Sequence, residues 1–284
     1  MDETLSDRFR RASLRMRILT AAAGIPVVVI ALWLGGRWWT GMVVLVALLG
    51  WHEFVRLHRL GKGHRAASLV VLAVLFALLL RVSSAVASGV LAVWAAALVA
   101  DTVPSFRRGR LQSLPPARRT EAFRAAWHAG LGGWYLAVPT AVLARWRSEF
   151  PAASVLSFFL VVWATDTAAY FIGVGAGRHR LAPAISPGKS WEGAAAGLAA
   201  GALAGFLTAG WWAMPPGRAA VVGALIALAS QIGDLAESAM KRKAGVKDAG
   251  SLLPGHGGIL DRFDGVFVAA PAAYLLARLW GMPR

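Results

Sequence analysis

Carboxylates are scarce in this sequence, and half of them gather beside its last apolar segments. Of 14 Asp and Glu residues in a chain of 284, seven lie between residues 166 and 264: Asp166, Glu192, Asp234, Glu237, Asp248, Asp261 and Asp264. An ionised carboxylate in hydrocarbon costs several kcal/mol unless it is paired or hydrated. Each of the seven is therefore a candidate functional residue.

Helical spacing arranges most of these acids in two stripes. The first occupies positions i, i+3, i+4 and i+7 at the end of one apolar segment: Asp234, Glu237, Ser238 and Lys241. The second, Asp261 and Asp264, opens the next segment with i, i+3 spacing. Carboxylates from two helices, with phosphate oxygens completing the shell, suit Mg²⁺. The simpler alternative is that the acids only form ion pairs with Lys241, Arg242 or Arg262.

The loop between the two stripes is rich in glycine. It contains Gly250, Pro254, Gly255, Gly257 and Gly258 around His256. Glycine lets backbone N–H groups approach an anion closely, and the loop leads into a helix N-terminus, which favours negative charge. Because Lys241, Arg242 and Lys247 precede it, the segment is typical of a phosphate-binding site. His256 either contacts the ligand directly or is a capping or packing histidine.

A second polar group belongs to the two preceding apolar segments. Asp166 lies inside one of them, with Tyr170 four residues later as a candidate hydrogen-bond partner. Ser186, Lys189 and Glu192 open the next one. Lysine usage supports the grouping, because four of the five lysines in this arginine-rich chain lie at 189, 241, 243 and 247. A compact ammonium at these places indicates a geometric requirement.

Long apolar segments must position these groups. Hydrophobic residues make up 57% of the chain and charged residues 15%, which is typical of an integral membrane protein. A bilayer core of about 30 Å needs about 20 apolar residues in a helix. The sequence predicts an all-α polytopic membrane protein with nine spans, at 17–36, 38–55, 66–82, 84–101, 127–145, 152–174, 191–213, 218–238 and 259–281. Residues 1–150 would form an N-terminal scaffold, and residues 151–284 a catalytic domain.

The distribution of basic residues predicts the orientation. Most of the 30 Lys and Arg residues lie in the N-terminal segment and in every second loop, and such residues favour the cytoplasmic side. The N-terminus and the motif loops are therefore predicted to be cytoplasmic. The net charge of +16 does not indicate nucleic-acid binding, because the basic residues are scattered between apolar segments. His52 and Glu53, near the cytoplasmic end of the second span, stand out without an assigned role.

The C-terminal motifs resemble those of a known enzyme family. The stretch Ser238-Ala-Met-Lys-Arg242, followed by Lys247-Asp248, Pro254-Gly-His-Gly-Gly258 and Asp261-Arg-Phe-Asp264, is similar to the signature of phosphatidate cytidylyltransferases, also called CDP-diacylglycerol synthases. Segments 166–170, 186–193 and 231–237 resemble other shared segments of that family. The match covers residues 160–270. It departs from the family at Gly188 and Ser190, where Lys and Thr are common.

This resemblance implies a nucleotidyltransferase of phospholipid biosynthesis, which transfers CMP from CTP to phosphatidic acid and releases pyrophosphate. It implies a homodimer in the cytoplasmic (inner) membrane that uses Mg²⁺, with a monovalent cation such as K⁺ beside it. The implied metal ligands are Asp234, Asp261 and Asp264, and the catalytic group also includes Lys241, Arg242, Lys247 and Asp248. The implied substrate-binding residues are Asp166, Tyr170, Ser186, Lys189, Glu192, Glu237, Ser238, Gly255, His256, Gly257, Gly258 and Arg262.

Two other functions remain open on the sequence alone. A CTP-dependent kinase of a polyprenol or other lipid alcohol would share the Mg-nucleotide chemistry, but it would need a base for the hydroxyl acceptor. An ion-coupled transporter would use Asp166 and Asp234 as ion sites at the membrane midplane, but it would need interrupted helices in both halves of the chain.

Overall fold

The computed structural model describes residues 22, 24–81, 118–250, 252 and 257–280, with the backbone alone for 118–125. These residues form eight α-helices and one small hairpin. The helices are α1 Gly24–Leu34, α2 Gly36–Leu57, α3 Lys62–Arg81, α4 Arg118–Glu149, α5 Ala152–Ala176, α6 Trp191–Leu207, α7 Pro216–Lys243 and α8 Leu260–Leu279. The hairpin joins β1 Arg180–Ala182 to β2 Ser186–Ser190 in antiparallel register.

The prediction of a mostly helical membrane protein is confirmed in its coarse form. Among the described residues, α2, α3, α5 and α7 are long and apolar enough to cross a membrane. The predicted spans 38–55, 66–82, 127–145, 152–174, 218–238 and 259–281 fall on α2, α3, α4, α5, α7 and α8. The predicted span 84–101 and the first part of span 17–36 lie outside the described residues, so the count of nine stays a prediction.

Two details of the predicted fold are wrong. The molecule is not purely α-helical, because the polar, Gly- and Pro-containing stretch between α5 and α6 forms the β1–β2 hairpin. The predicted span 191–213 is also interrupted. Helix α6 ends at Leu207, and a 3-10 turn, Ala209–Trp212, follows it. There the Thr208 hydroxyl donates to the Ala204 carbonyl at 2.7 Å, and Ala213 takes a left-handed conformation with φ +47° before Pro216 opens α7.

Helix α4 is the central helix of the first half of the molecule. It packs against α2, α3 and α8, and its side chains from Tyr135 to Leu143 are buried. The indole N–H of Trp39 in α2 donates to the Leu143 carbonyl at 2.8 Å. Since α4 also contacts α8, the first half of the chain touches the helix that carries Asp261 and Asp264.

Small residues bring α5, α6, α7 and α8 together. One buried glycine stripe on α6 faces α5 and α7, at Gly193, Gly197, Gly201 and Gly205. Between α7 and α8, Gly233 lies against the Asp264 backbone, and Gly265 lies against the Ser230 side chain. Helix backbones can approach closely where side chains are small. The close approach of α7 and α8 sets the spacing of the two carboxylate stripes.

Candidate functional site

A buried ion-pair triad joins the two stripes. The ammonium Nζ of Lys241 lies 2.5 Å from Oε2 of Glu237, one helical turn earlier on α7. It also lies 2.7 Å from Oδ1 of Asp261 on α8. The three side chains are nearly enclosed, with exposed fractions of 13%, 1% and 5% for Lys241, Glu237 and Asp261. Burying one ammonium with two carboxylates requires close pairing, so this triad is a firm connection between α7 and α8.

Asp261 is held by backbone groups as well. Its Oδ2 accepts the Gly258 amide at 2.8 Å and the Ala249 amide at 3.0 Å. The carboxylate therefore ties both ends of the glycine-rich loop to the first turn of α8. Gly257 closes the loop with φ +80°, a conformation that favours glycine. A Cβ at Gly257 would lie 2.7 Å from Oδ2 of Asp261.

Glu53 reaches the same loop from the first half of the chain. It is 2% exposed on α2, and its Oε1 and Oε2 accept the amides of Ile259 and Leu260 at 3.0 and 2.9 Å. A carboxylate at a helix N-terminus satisfies amides that have no partner within the helix. Sequence reasoning noticed Glu53 but gave it no role, because nothing local indicates a partner about 200 residues away.

The hairpin forms one wall of the site through two contacts with α7. Nζ of Lys189 on β2 lies 2.6 Å from Oδ2 of Asp234. Nε of Arg242 donates to the Ile185 carbonyl, in the hairpin turn, at 3.1 Å. The structure thus brings Lys189 next to Asp234, the first residue of the polar stripe on α7. The Lys189–Asp234 pair stays accessible, with 25% and 37% of the two side chains exposed.

Two further carboxyls, on α5 and α8, lie near that of Asp234. The carboxyls of Asp166 on α5, Asp234 on α7 and Asp264 on α8 lie within electrostatic range of one another, and Lys189 and Arg262 are in range of Asp166. Oδ1 of Asp264 accepts the Gly265 amide at 2.7 Å. The structure therefore gathers acids from three helices near Lys189 of the hairpin.

Magnesium fits this carboxyl group only in part. Asp234 and Asp264 supply hard oxygen atoms of the type Mg²⁺ prefers. Asp261, also predicted as a ligand, is already engaged by Lys241 and by two amides. Within the described ranges, no three His, Cys, Asp or Glu side chains are arranged to hold a metal ion. A bound Mg²⁺ would need substrate phosphate oxygens for most of its shell.

Several other predicted site residues lie away from the three acids or at the surface. Glu192 does not face the acids: its Oε1 lies 2.6 Å from Nδ1 of His179, and it closes the hairpin onto α6. Tyr170 is 63% exposed and contacts Phe171, and no hydrogen bond joins it to Asp166 among the described residues. Four others lie at the surface of the loop side, namely Arg242, Lys247, Asp248 and Arg262.

The last four predicted residues are Ser186 and Ser238, which the structure describes, and Gly255 and His256, which it does not. Ser186 begins β2 opposite Ala182. The Ser238 hydroxyl lies 3.5 Å from Oδ1 of Asp234, at the long limit of a hydrogen bond. Gly255 and His256 lie outside the described residues, so their predicted roles stay predictions.

Comparison with known proteins identifies the family of this sequence. Residues 15–280 match the model of the cytidylyltransferase family. A phosphatidate cytidylyltransferase of Brucella suis is 47% identical over 142 residues, which are 50% of this chain and 53% of that protein. One from Mycobacterium bovis is 44% identical over 126 residues, 44% of this chain and 41% of that protein. The chain thus spans about half the length of the curated relatives it matches.

Proposed function

The chain belongs to the cytidylyltransferase family, and from that premise we propose that it transfers the cytidylyl group of CTP to phosphatidic acid, yielding CDP-diacylglycerol and pyrophosphate. The observation that carries the proposal is the 47% identity, over half of the chain, to a protein named phosphatidate cytidylyltransferase. The gathered acids and lysines of the site are consistent with it, because the reaction brings two phosphorylated substrates together.

The proposed reaction is a displacement at phosphorus. An oxygen of the lipid phosphate forms a bond to the α-phosphorus of CTP, and the bond from that phosphorus to the bridging oxygen of the β-phosphate breaks. Phosphatidic acid carries a phosphate monoester whose second pKa is about 6, so it needs no strong base to become a nucleophile. The site must instead neutralise charge and align two anions.

The accessible cations are suited to that task. Lys189 stands on the hairpin beside Asp234, where it would contact the lipid phosphate. Arg242, Lys247 and Arg262 stand at the exposed loop side, where they would meet the triphosphate and the leaving pyrophosphate. Lys241 takes a different part in the proposal from the one its sequence indicated. Since two carboxylates neutralise it in a buried triad, it would hold α7 and α8 together rather than bind phosphate.

We also propose Mg²⁺ as the cofactor, held by Asp234 and Asp264 together with substrate phosphates. When bound, the ion would offset negative charge on the phosphate oxygens. Asp166 would contribute to the negative field that attracts the cation. We do not include Asp261 among the proposed ligands, because its oxygens already accept hydrogen bonds from Lys241, Ala249 and Gly258.

The proposal extends to location and assembly. We propose nine membrane spans in the cytoplasmic (inner) membrane, with the N-terminus and the motif loops cytoplasmic, and a homodimer. The spans and their orientation are supported by the alternation of basic loops along the sequence and by the four described helices that are long and apolar enough to cross a membrane; the homodimer is what the family resemblance implies. Large side chains such as Trp38, Val70 and Leu228 are exposed on the faces of these helices, which is expected where lipid surrounds them.

The direct test uses the purified full chain in detergent with phosphatidic acid, Mg²⁺ and CTP labelled at the α-phosphate. Formation of a labelled lipid together with release of pyrophosphate supports the proposal. Label that enters lipid only from the γ-phosphate, with a lipid alcohol as acceptor, would instead identify a kinase. If neither label reaches lipid while the protein is folded, the proposed function is wrong.

A further inference from the structure

We propose that Glu53 is a positioning residue: from the scaffold half of the chain, its carboxylate fixes the first turn of α8 and so places the acids of the site. This inference rests on the proposed function. Glu53 is buried on α2, and each of its two oxygens accepts one amide at the start of α8, from Ile259 and Leu260. Both oxygens of one side chain are thus used to orient one helix end.

The surrounding backbone is shaped to receive this carboxylate. A Cβ at Gly250 would lie 2.6 Å from Oε1 of Glu53, and a Cβ at Gly258 would lie 2.6 Å from its Cδ. Real Cβ atoms do not approach other atoms so closely, so each position requires glycine as long as Glu53 remains in place. Two of the glycines that looked like a phosphate cradle therefore enclose a carboxylate of the protein itself.

A second contact between α2 and α8 lies one helical turn before Glu53. Gly50 packs against the Leu260 side chain, and a Cβ there would lie 3.4 Å from Leu260 Cδ2. Gly50 and Glu53 share one face of α2. The same face thus holds the backbone and the side chain of Leu260, and Leu260 directly precedes Asp261.

The position of α8 decides where its acids stand. Asp261 completes the triad with Lys241, and Asp264 faces Asp234 and Asp166. Both occupy the first turns of the helix that Glu53 caps. The Glu53 carboxylate also occupies the N-terminus of α8, where a bound anion would otherwise accept these amides. Substrate phosphates would therefore be met by side-chain cations and not by the amides of Ile259 and Leu260.

Glu53→Gln is the sharpest variant, because it keeps the size of the side chain. The amide oxygen can accept one of the two N–H groups, while its NH₂ group faces the other donor and leaves both unpaired in a buried place. Since a displacement of about 1 Å in an active site can cost about 100-fold in rate, we expect kcat to fall about 100-fold at a temperature well below the unfolding midpoint. Gly250→Ala, which displaces the carboxylate without removing it, should have a similar effect.

Glu149→Gln is the matched control. Glu149 accepts hydrogen bonds from Arg145, Tyr274 and Arg278 at the far end of α4 and α8, so its loss should lower stability while kcat stays near that of the wild type. Hydrogen exchange gives a readout independent of activity. In the wild type, the amides of Ile259 and Leu260 should exchange slowly, and Glu53→Gln should speed their exchange, while Glu149→Gln should not.

Each outcome decides one question. If the wild type forms no CDP-diacylglycerol, the proposed function fails, while hydrogen exchange at Ile259 and Leu260 still tests the capping. If the wild type is active and Glu53→Gln matches Glu149→Gln in kcat, the positioning role is wrong. If neither Glu53→Gln nor Gly250→Ala yields folded protein, rapid exchange of the two amides in the wild type would overturn the inference, and slow exchange would support it.

Discussion

Lys241 on α7 and Asp261 on α8 form an ion pair with 2.7 Å between Nζ and Oδ1, and Glu237 shares the same ammonium. Two residues that the sequence offered as a phosphate contact and a metal ligand are thus each other's partners. Because they pair with each other, we assign Lys241 and Asp261 to holding the site together and not to binding the substrates.

The triad should be a determinant of stability. Replacing Lys241 with Met leaves Glu237 and Asp261 buried without their cation, and removing one partner of a buried ion pair costs about 3–5 kcal/mol. We expect a clear drop in the free energy of unfolding, measured in a constant detergent. Lys247→Met, at an exposed position, serves as the control and should change stability by about 0.5 kcal/mol or less. Equal stability of the two variants would contradict the structural role of Lys241.

The Lys189–Asp234 pair should matter for activity and little for stability. Both side chains are partly exposed, and ion pairs in that setting contribute about 0–1 kcal/mol. Lys189→Met should therefore fold normally and show a raised KM for phosphatidic acid in mixed micelles, with a smaller change in the KM for CTP. Arg180→Met on the same hairpin is the control. An unchanged kcat/KM for both substrates would remove Lys189 from the proposed lipid-phosphate contact.

The metal requirement should distinguish among the three predicted ligands. Asp234→Asn and Asp264→Asn should each raise the Mg²⁺ concentration that gives half-maximal rate, because each loses an oxygen of the proposed metal site. Asp261→Asn should instead weaken folding, since its carboxylate binds Lys241 and two amides. A Mg²⁺ titration at saturating substrates, together with a thermal midpoint for each variant, measures both effects. A raised Mg²⁺ requirement only in Asp261→Asn would reverse the assignment.

The glycine stripe on α6 should tolerate no added methyl group. A Cβ at Gly193 would lie 2.6 Å from the Ala169 carbonyl oxygen, so Gly193→Ala must push α6 away from α5 at a cost of about 1–3 kcal/mol. Gly217 in the first turn of α7 has no atom within 4 Å of such a Cβ. Gly217→Ala should therefore leave the unfolding midpoint unchanged or raise it, because alanine favours the helix by about 0.5–1 kcal/mol. An unchanged or raised midpoint in Gly193→Ala, or a lowered midpoint in Gly217→Ala, would contradict this packing.

The sequence by itself determined the features that depend on neighbours along the chain. Long apolar runs predicted helices in a membrane, and the i, i+3, i+4 spacing placed Asp234, Glu237 and Lys241 on one face of α7. The motif segments indicated the family that residues 15–280 match. The helices and the shared face follow from composition and helix periodicity, whereas the family follows from the resemblance of the motifs; short stretches of sequence carry all three.

The tertiary structure alone decided which side chains meet. Whether Asp261 binds a metal or Lys241, and whether the loop glycines enclose a phosphate or Glu53, depends on how closely α2, α7 and α8 approach one another. That approach is set by packing at Gly50, Gly233 and Gly265, and no local pattern encodes a partner far away in the chain. The same carboxylates could serve as ligands or as helix caps, because their chemistry is identical until the helix positions are fixed.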